Sequence, residues 1–151
     1  MTANGVTAHL PHRQVHEPLG HWLRNPGNIR YRADITWRGQ VGHYHGWCVF
    51  DTVAHGARAM MLDVRAQQFR HGARTLLDVI SLYAPSSDGN DPDHYATVVA
   101  RLVGINRRQP IDLHNLDLLA SVAHAMSIHE IGGHWAPSLD TFRTALTELT
   151  E

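Results

Sequence analysis

The residues of this chain best placed to do acid–base chemistry lie in Ala125-Met126-Ser127-Ile128-His129-Glu130-Ile131-Gly132-Gly133. There are four glutamates. Glu17 precedes a proline, and Glu148 and Glu151 lie at the C-terminus, so their settings read as unremarkable. Glu130 instead ends an apolar run of helical period. Leu116, Leu119, Ala123, Met126 and Glu130 are spaced by three or four. At about 100° per residue they form one stripe, with Glu130 roughly 20° from Leu119. A carboxyl on the face that enters the core loses solvation, which raises its pKa and keeps its proton nearer neutral pH. A general acid needs that condition. Gly132-Gly133 stop the helix and leave open backbone beside the acid.

His129 and His134 flank this glutamate and invite a zinc reading. A helical zinc pair needs histidines at i and i+4, on one face. Here the spacing is i and i+5, with two glycines between them. His43 and His45 are at i and i+2, which chelation on one strand permits. The other histidines show no ligand spacing, and surface histidines account for the thirteen in the chain. No metal or other cofactor is called for.

The elements that must position Glu130 follow from composition and punctuation. At 151 residues and 43% hydrophobic, the chain suits one domain, 1–151, with one core. No apolar run approaches the roughly 20 residues of a membrane span. A formal charge of −1 gives no basic footprint for nucleic acid. The single Cys48 excludes an internal disulfide framework and reads as a small core residue. No Sec signal peptide is visible at the N-terminus. The expectation is synthesis in the cytoplasm and delivery by other machinery.

Residues 1–20 read as a loosely ordered lead-in, with at most a short helical turn. Asn25-Pro26-Gly27-Asn28 is a turn. Ile29-Arg30-Tyr31, the stretch around Gly39-Gln40-Val41-Gly42, and Gly46 to Phe50 read as three short strands of a hairpin-like sheet. Five helices follow. Asp51 or Thr52 caps the first, which runs to His71-Gly72. Thr75 caps Leu76 to Tyr83, which stops before Pro85. Asp91-Pro92 starts a third, His94 to Val103. Asp112 or Asn115 starts the fourth, ending at Glu130. Ser138 starts the last. The fold class is α+β, predominantly α, with about five helices and one small antiparallel sheet.

Several stretches together resemble a family of phage virion proteins and related bacterial sequences. They are Asn25-Pro26-Gly27-Asn28-Ile29-Arg30-Tyr31, Trp37-Arg38-Gly39-Gln40, Phe50-Asp51 with Gly56-Ala57-Arg58-Ala59-Met60, Tyr83-Ala84-Pro85 with Tyr95, and His129-Glu130-Ile131-Gly132. The resemblance covers roughly Arg24 to Gly133, and its most specific part is Asn-Pro-Gly-Asn-Ile-Arg. The chain departs from the family pattern at Ile131 and at Arg24, where Asn is expected at each. The family looks like a lysozyme-like fold in rearranged order. A sister group of muramidase-like proteins carries its Glu segment before the Asn-Pro-Gly-Asn segment, whereas here the similar segment ending Glu130-Ile131-Gly132 lies near the C-terminus. The order implies a circular permutation, which is tolerated when termini lie close together on the surface.

The resemblance implies a peptidoglycan glycosidase that cuts the MurNAc–GlcNAc bond, carried as a virion-associated lysin, endolysin or secreted effector. Its partners would be glycan strands and components of a phage tail or secretion machine. Glu130 would be the acid/base. Asn25, Asn28 and Arg30 would face it across the sugar cleft, with Gln40 and Tyr95 as further wall residues. A second reading of Asn25 and Asn28 is that they close their own turn. Tyr83 reads as core, and Trp37 and Trp47 as either buried sheet aromatics or stacking platforms. No second glutamate accompanies Glu130 in the sheet region, where Asp34 is the one carboxylate before Cys48. That favours a single-acid, transglycosylase-like mechanism over a two-acid lysozyme. The alternative is a non-catalytic virion structural or peptidoglycan-binding module of the same fold, which Ile131 in place of Asn favours.

Overall fold

Every helix start read from a capping residue is a helix start in the computed structural model, which describes residues 6, 7 and 10–149. The Thr52, Asn115 and Ser138 side chains each accept from the backbone N–H three residues on, as does that of Asp91. Thr75 goes further, since Asp78 returns a carboxylate to the Thr75 amide and completes a capping box. The elements in order are α1 (Leu19–Trp22), β1 (Gln40–Tyr44), β2 (Trp47–Phe50), α2 (Val53–His71), α3 (Leu76–Tyr83), α4 (Pro92–Val103), α5 (Leu116–Ile131) and α6 (Leu139–Ala145), with 3-10 turns at Ser86–Asp88 and Leu146–Leu149. The molecule is therefore mixed α+β and mostly helical.

Two expectations change in detail. Six helices are present among the described residues, because Leu19–Trp22 closes into α1. This end of the lead-in is not loose: Gly20 is buried and α1 packs against α5. Residues 1–5, 8 and 9 of the lead-in lie outside the described residues. The sheet has two strands, paired antiparallel with an irregularity between Gln40 and Gly42. The third expected strand reduces to a single bridge, Arg30 to Trp47. Even so, Tyr31 N–H donates to the Gly46 carbonyl at 2.8 Å, and Cys48 N–H to that of Ile29 at 3.0 Å. The Asn25–Asn28 turn is thus tied to the edge of β2.

α5 is the centre of the molecule. Leu119, Ala120, Val122, Ala123, Ala125, Met126, Ser127 and Ile131 are all buried, so the helix is covered on more than one side. It packs against α1, α2, α4 and α6. The buried hydroxyl of α5, that of Ser127, is satisfied by donating to the His124 carbonyl at 2.7 Å. Phe50, Met60, Met61, Leu76, Ile80, Phe142 and Cys48 complete the core around it. Burial pushes the Cys48 thiol up to about 11, so it stays protonated and acts as a small apolar residue. No helix among the described residues is long and apolar enough to cross a membrane.

Candidate active site

The helix stripe that carries Glu130 runs into the core as its spacing predicts. Leu119, Ala123 and Met126 are fully buried, and Glu130 emerges one turn later, half-buried, at the wall of an open cleft of about 390 Å³. Both carboxylate oxygens have neutral donors. Asn28 Nδ2 donates to Oε1 at 2.9 Å, and the Tyr95 hydroxyl donates to Oε2 at 2.8 Å. Burial is the largest influence on this carboxyl and raises its pKa; the bonds from Asn28 and Tyr95 pull the other way without cancelling it. The group is thus oriented by two hydrogen bonds and still biased toward holding its proton.

Each partner is itself fixed by local sequence. Asn28 has φ 49, a left-handed conformation that asparagine tolerates better than most residues. Its side chain passes over Gly20, where an added Cβ would collide with Asn28 Oδ1 and come within 2.8 Å of the Asn25 carbonyl. Gly20 thereby permits the approach of the turn to α5. Tyr95 is 1% exposed on α4, and the His129 ring lies 3.9 Å from its own. Burial pushes the Tyr95 phenol well above its ordinary value, and the nearby Glu130 adds to this, so it keeps the proton that it donates to Glu130. His129 is pushed down, by burial first and then by His94.

The other expected site residues divide into two groups. Arg30 lines the cleft, with its guanidinium 4.6 Å from the Trp47 ring centre. Trp37 and Trp47 also line it, half-buried, which fits the stacking-platform reading better than that of fully buried sheet aromatics. Asn25 does not reach the cleft. It is 1% exposed, and its amide donates to the Ile29 and Cys48 carbonyls at 3.0 and 3.1 Å while its oxygen accepts from Ile29 N–H at 2.9 Å. Of its two readings, closing the turn is the one this geometry carries. Gln40 lies outside the lining too; its Oε1 accepts from Trp37 N–H at 3.0 Å and braces the turn into β1. Tyr95 sits behind the acid rather than in the wall. Tyr83 packs on the core but also lines the cleft, and its hydroxyl donates to the Gly27 carbonyl at 2.6 Å.

The two departures from the family pattern both lie away from this cleft. Ile131 is buried, and a Cβ on Gly20 would come within 2.9 Å of its Cγ2. Arg24 holds φ 58 and donates to the Asp51 carbonyl at 2.7 Å. Both line a second cavity, beside His21, Trp135 and Pro137.

Two findings were missed by sequence reasoning. Glu17, read as unremarkable, is a carboxylate only 6% exposed, bonded to His21 Nδ1 at 2.5 Å and to Gln14 N–H at 2.8 Å. Asp63, on α2, lines the same cleft as Glu130. Its signal was present. Met60, Met61 and Val64 are buried, so Asp63 lies in an apolar stretch as Glu130 does. No group of three or more His, Cys, Asp or Glu side chains converges as a metal set among the described residues. His129 faces Tyr95 and His94, whereas His134 packs on Trp135.

Fold and site together define a helical α+β protein with a desolvated, neutrally bonded carboxyl at the wall of a cleft. No protein-family model matches this chain, and no curated protein does either.

Proposed function

We propose that the protein is a peptidoglycan glycosidase, with a lysozyme-like fold in circularly permuted order, in which Glu130 donates the proton that breaks the MurNAc–GlcNAc bond. The observation that carries this reading is the state of Glu130: raised by burial, held by two neutral donors, and open to a cleft with tryptophan and arginine in its walls. Trp37 and Trp47 are aromatic lining of the kind that stacks on sugars, Trp47 with Arg30 over its ring, and Arg30 offers donors to hydroxyl and amide oxygens. As the C1–O bond lengthens, positive charge develops on the sugar ring and negative charge on the leaving oxygen; the Glu130 proton neutralises the latter. The attacking oxygen is either the sugar's own 6-hydroxyl, as in lytic transglycosylases, or water, as in lysozymes. Asn28 and Tyr95 hold the carboxyl in place, and they help it most once ionised. In this scheme the protein reaches the cell wall by a virion or a secretion machine, and its ligand is the glycan strand, not nucleic acid.

The alternative of a non-catalytic module drew on Ile131 in place of Asn. Since Ile131 packs away from the cleft, that substitution leaves the carboxyl's donors intact. The deciding experiment is release of soluble muropeptides from purified sacculi. Wild-type protein should release them, and Glu130→Gln, isosteric but without a proton to give, should be slower by about 10²–10⁴-fold. Equal release by the variant would refute the assignment.

A further inference from the structure

Asp63 is the half-buried carboxylate that this chemistry has not yet used. It projects from the middle of α2 into the cleft that Glu130 borders from α5. Its one hydrogen bond among the described residues is a long one, from Gln67 Nε2 at 3.3 Å. Most of its acceptor capacity is therefore unfilled by protein, in a helix whose neighbouring turns are core. Arg32 lines the same cleft and lends positive charge to it. We infer that Asp63 is a second catalytic carboxylate, the base that takes a proton from the attacking water, so that the bond is cut by hydrolysis. This rests on the glycosidase reading of Glu130.

The placement favours water over direct attack by the carboxylate. Tyr83 feels both charges: its phenol is raised by burial first, then by Asp63 and by Glu130. Glu130 borders the cleft from α5 and Asp63 from α2, and Tyr83 lines the same cleft. Two carboxyls carried on different helices and bordering one open cleft leave room for a water on the face of the sugar opposite the leaving group, as in inverting glycosidases. The balance is simple. Glu130 gives its proton to the glycosidic oxygen as the C1–O bond breaks. Water oxygen bonds to C1, and its proton passes to the Asp63 carboxylate. The products are a reducing-end sugar and a free 4-hydroxyl, with one water consumed. Asp88 also lines the cleft, but it is exposed on the Ser86–Asp88 turn, whereas Asp63 is half-buried on a core helix. Burial raises Asp63 above the ordinary aspartate value, while Gln67, Arg32 and Arg70 hold it down; a carboxylate so raised accepts a proton more readily.

The test is mass spectrometry of muropeptides released by wild type and by Asp63→Asn, with pH–rate profiles of both. The wild type should yield reducing ends rather than 1,6-anhydro ends. Asp63→Asn should be slower by about 10²–10⁴-fold and should lose the acid limb of the profile, which a merely structural role would leave in place. Anhydro ends from the wild type would overturn Asp63 as the base while leaving Glu130 as the acid, and this arm needs no variant to fold. Unchanged rate and profile in Asp63→Asn would overturn it equally. A wild type that releases nothing would sink the glycosidase reading, and this inference with it.

Discussion

Glu17 and Glu130 are both withdrawn from water, yet their environments move them in opposite directions. At Glu17 burial favours the neutral acid, but the Gln14 amide and the His21 ring outweigh it, and the carboxyl is held below its ordinary value. At Glu130 burial again comes first, but the donors are a carboxamide and a phenol, and the balance stays above the ordinary value. The difference lies in the partners. A basic ring 2.5 Å away stabilises a carboxylate by charge as well as by hydrogen bonding. Two neutral dipoles only offset part of the desolvation. The first arrangement makes a structural anion that ties the start of α1 to the chain before it. The second makes an oriented acid that can give up a proton. Burial is common to both; neutral partners and an opening to the cleft are what set Glu130 apart as the proposed acid.

The largest expected effect separates the two residues by function. Glu130→Gln should remove about 10²–10⁴-fold of the rate, whereas Glu17→Gln should leave the chemistry in place and appear as lost stability. The next effect separates them by pH. Glu130 is raised in the fold, so its contribution to stability is full below the unfolded-state pKa and is lost as pH rises through the folded value. Glu17 is lowered, so its contribution is present above the unfolded-state pKa and is lost as pH falls through the folded value. Thermal melts at about pH 8 and about pH 4 should show Glu130→Gln gaining most at the higher pH and Glu17→Gln losing most there. Parallel behaviour of the two variants would erase the distinction. The smallest effect sharpens it. Tyr95→Phe removes one bond that favours the carboxylate, so the alkaline limb of activity should move to higher pH, at a cost of about 0.5–1.5 kcal/mol of stability. A limb that moved down would mean that Tyr95 does not donate to the ionised form.

Capping residues made the helices legible, because a Ser, Thr, Asp or Asn with its bond to the third amide is a local event encoded within four residues. The fold class and the position of Glu130 on a buried stripe followed from the same short-range spacing. The third strand was over-read: Ile29-Arg30-Tyr31 has strand-like residues, but the Asn25–Asn28 turn holds it so that only Arg30 pairs. Tertiary partners were harder. Asn28, 102 residues from Glu130, and Tyr95, 35 residues away, meet it only through packing of α4 and the turn on α5. Asn25 and Asn28 belong to one turn, yet one faces in as a brace and the other faces the acid, a division set by backbone angles. Asp63 was legible in principle, since it shares an apolar stretch with Met60 and Val64, but it lies in mid-helix, with no glycine break beside it like Gly132-Gly133 after Glu130. Glu17 carried no such mark; its partners His21 and Gln14 are ordinary neighbours until the lead-in folds back.

In the proposed mechanism Glu130 is a carboxyl whose surroundings favour its protonated form. With only four glutamates in the chain, selective carbon-13 labelling of their carboxyls makes a direct NMR titration feasible. Glu130, assigned by its loss in Glu130→Gln, should titrate above the ordinary glutamate value, and Glu17 below it. A Glu130 that titrates at or below the ordinary value would contradict this, because its surroundings would then not favour the protonated form that gives its proton to the leaving oxygen.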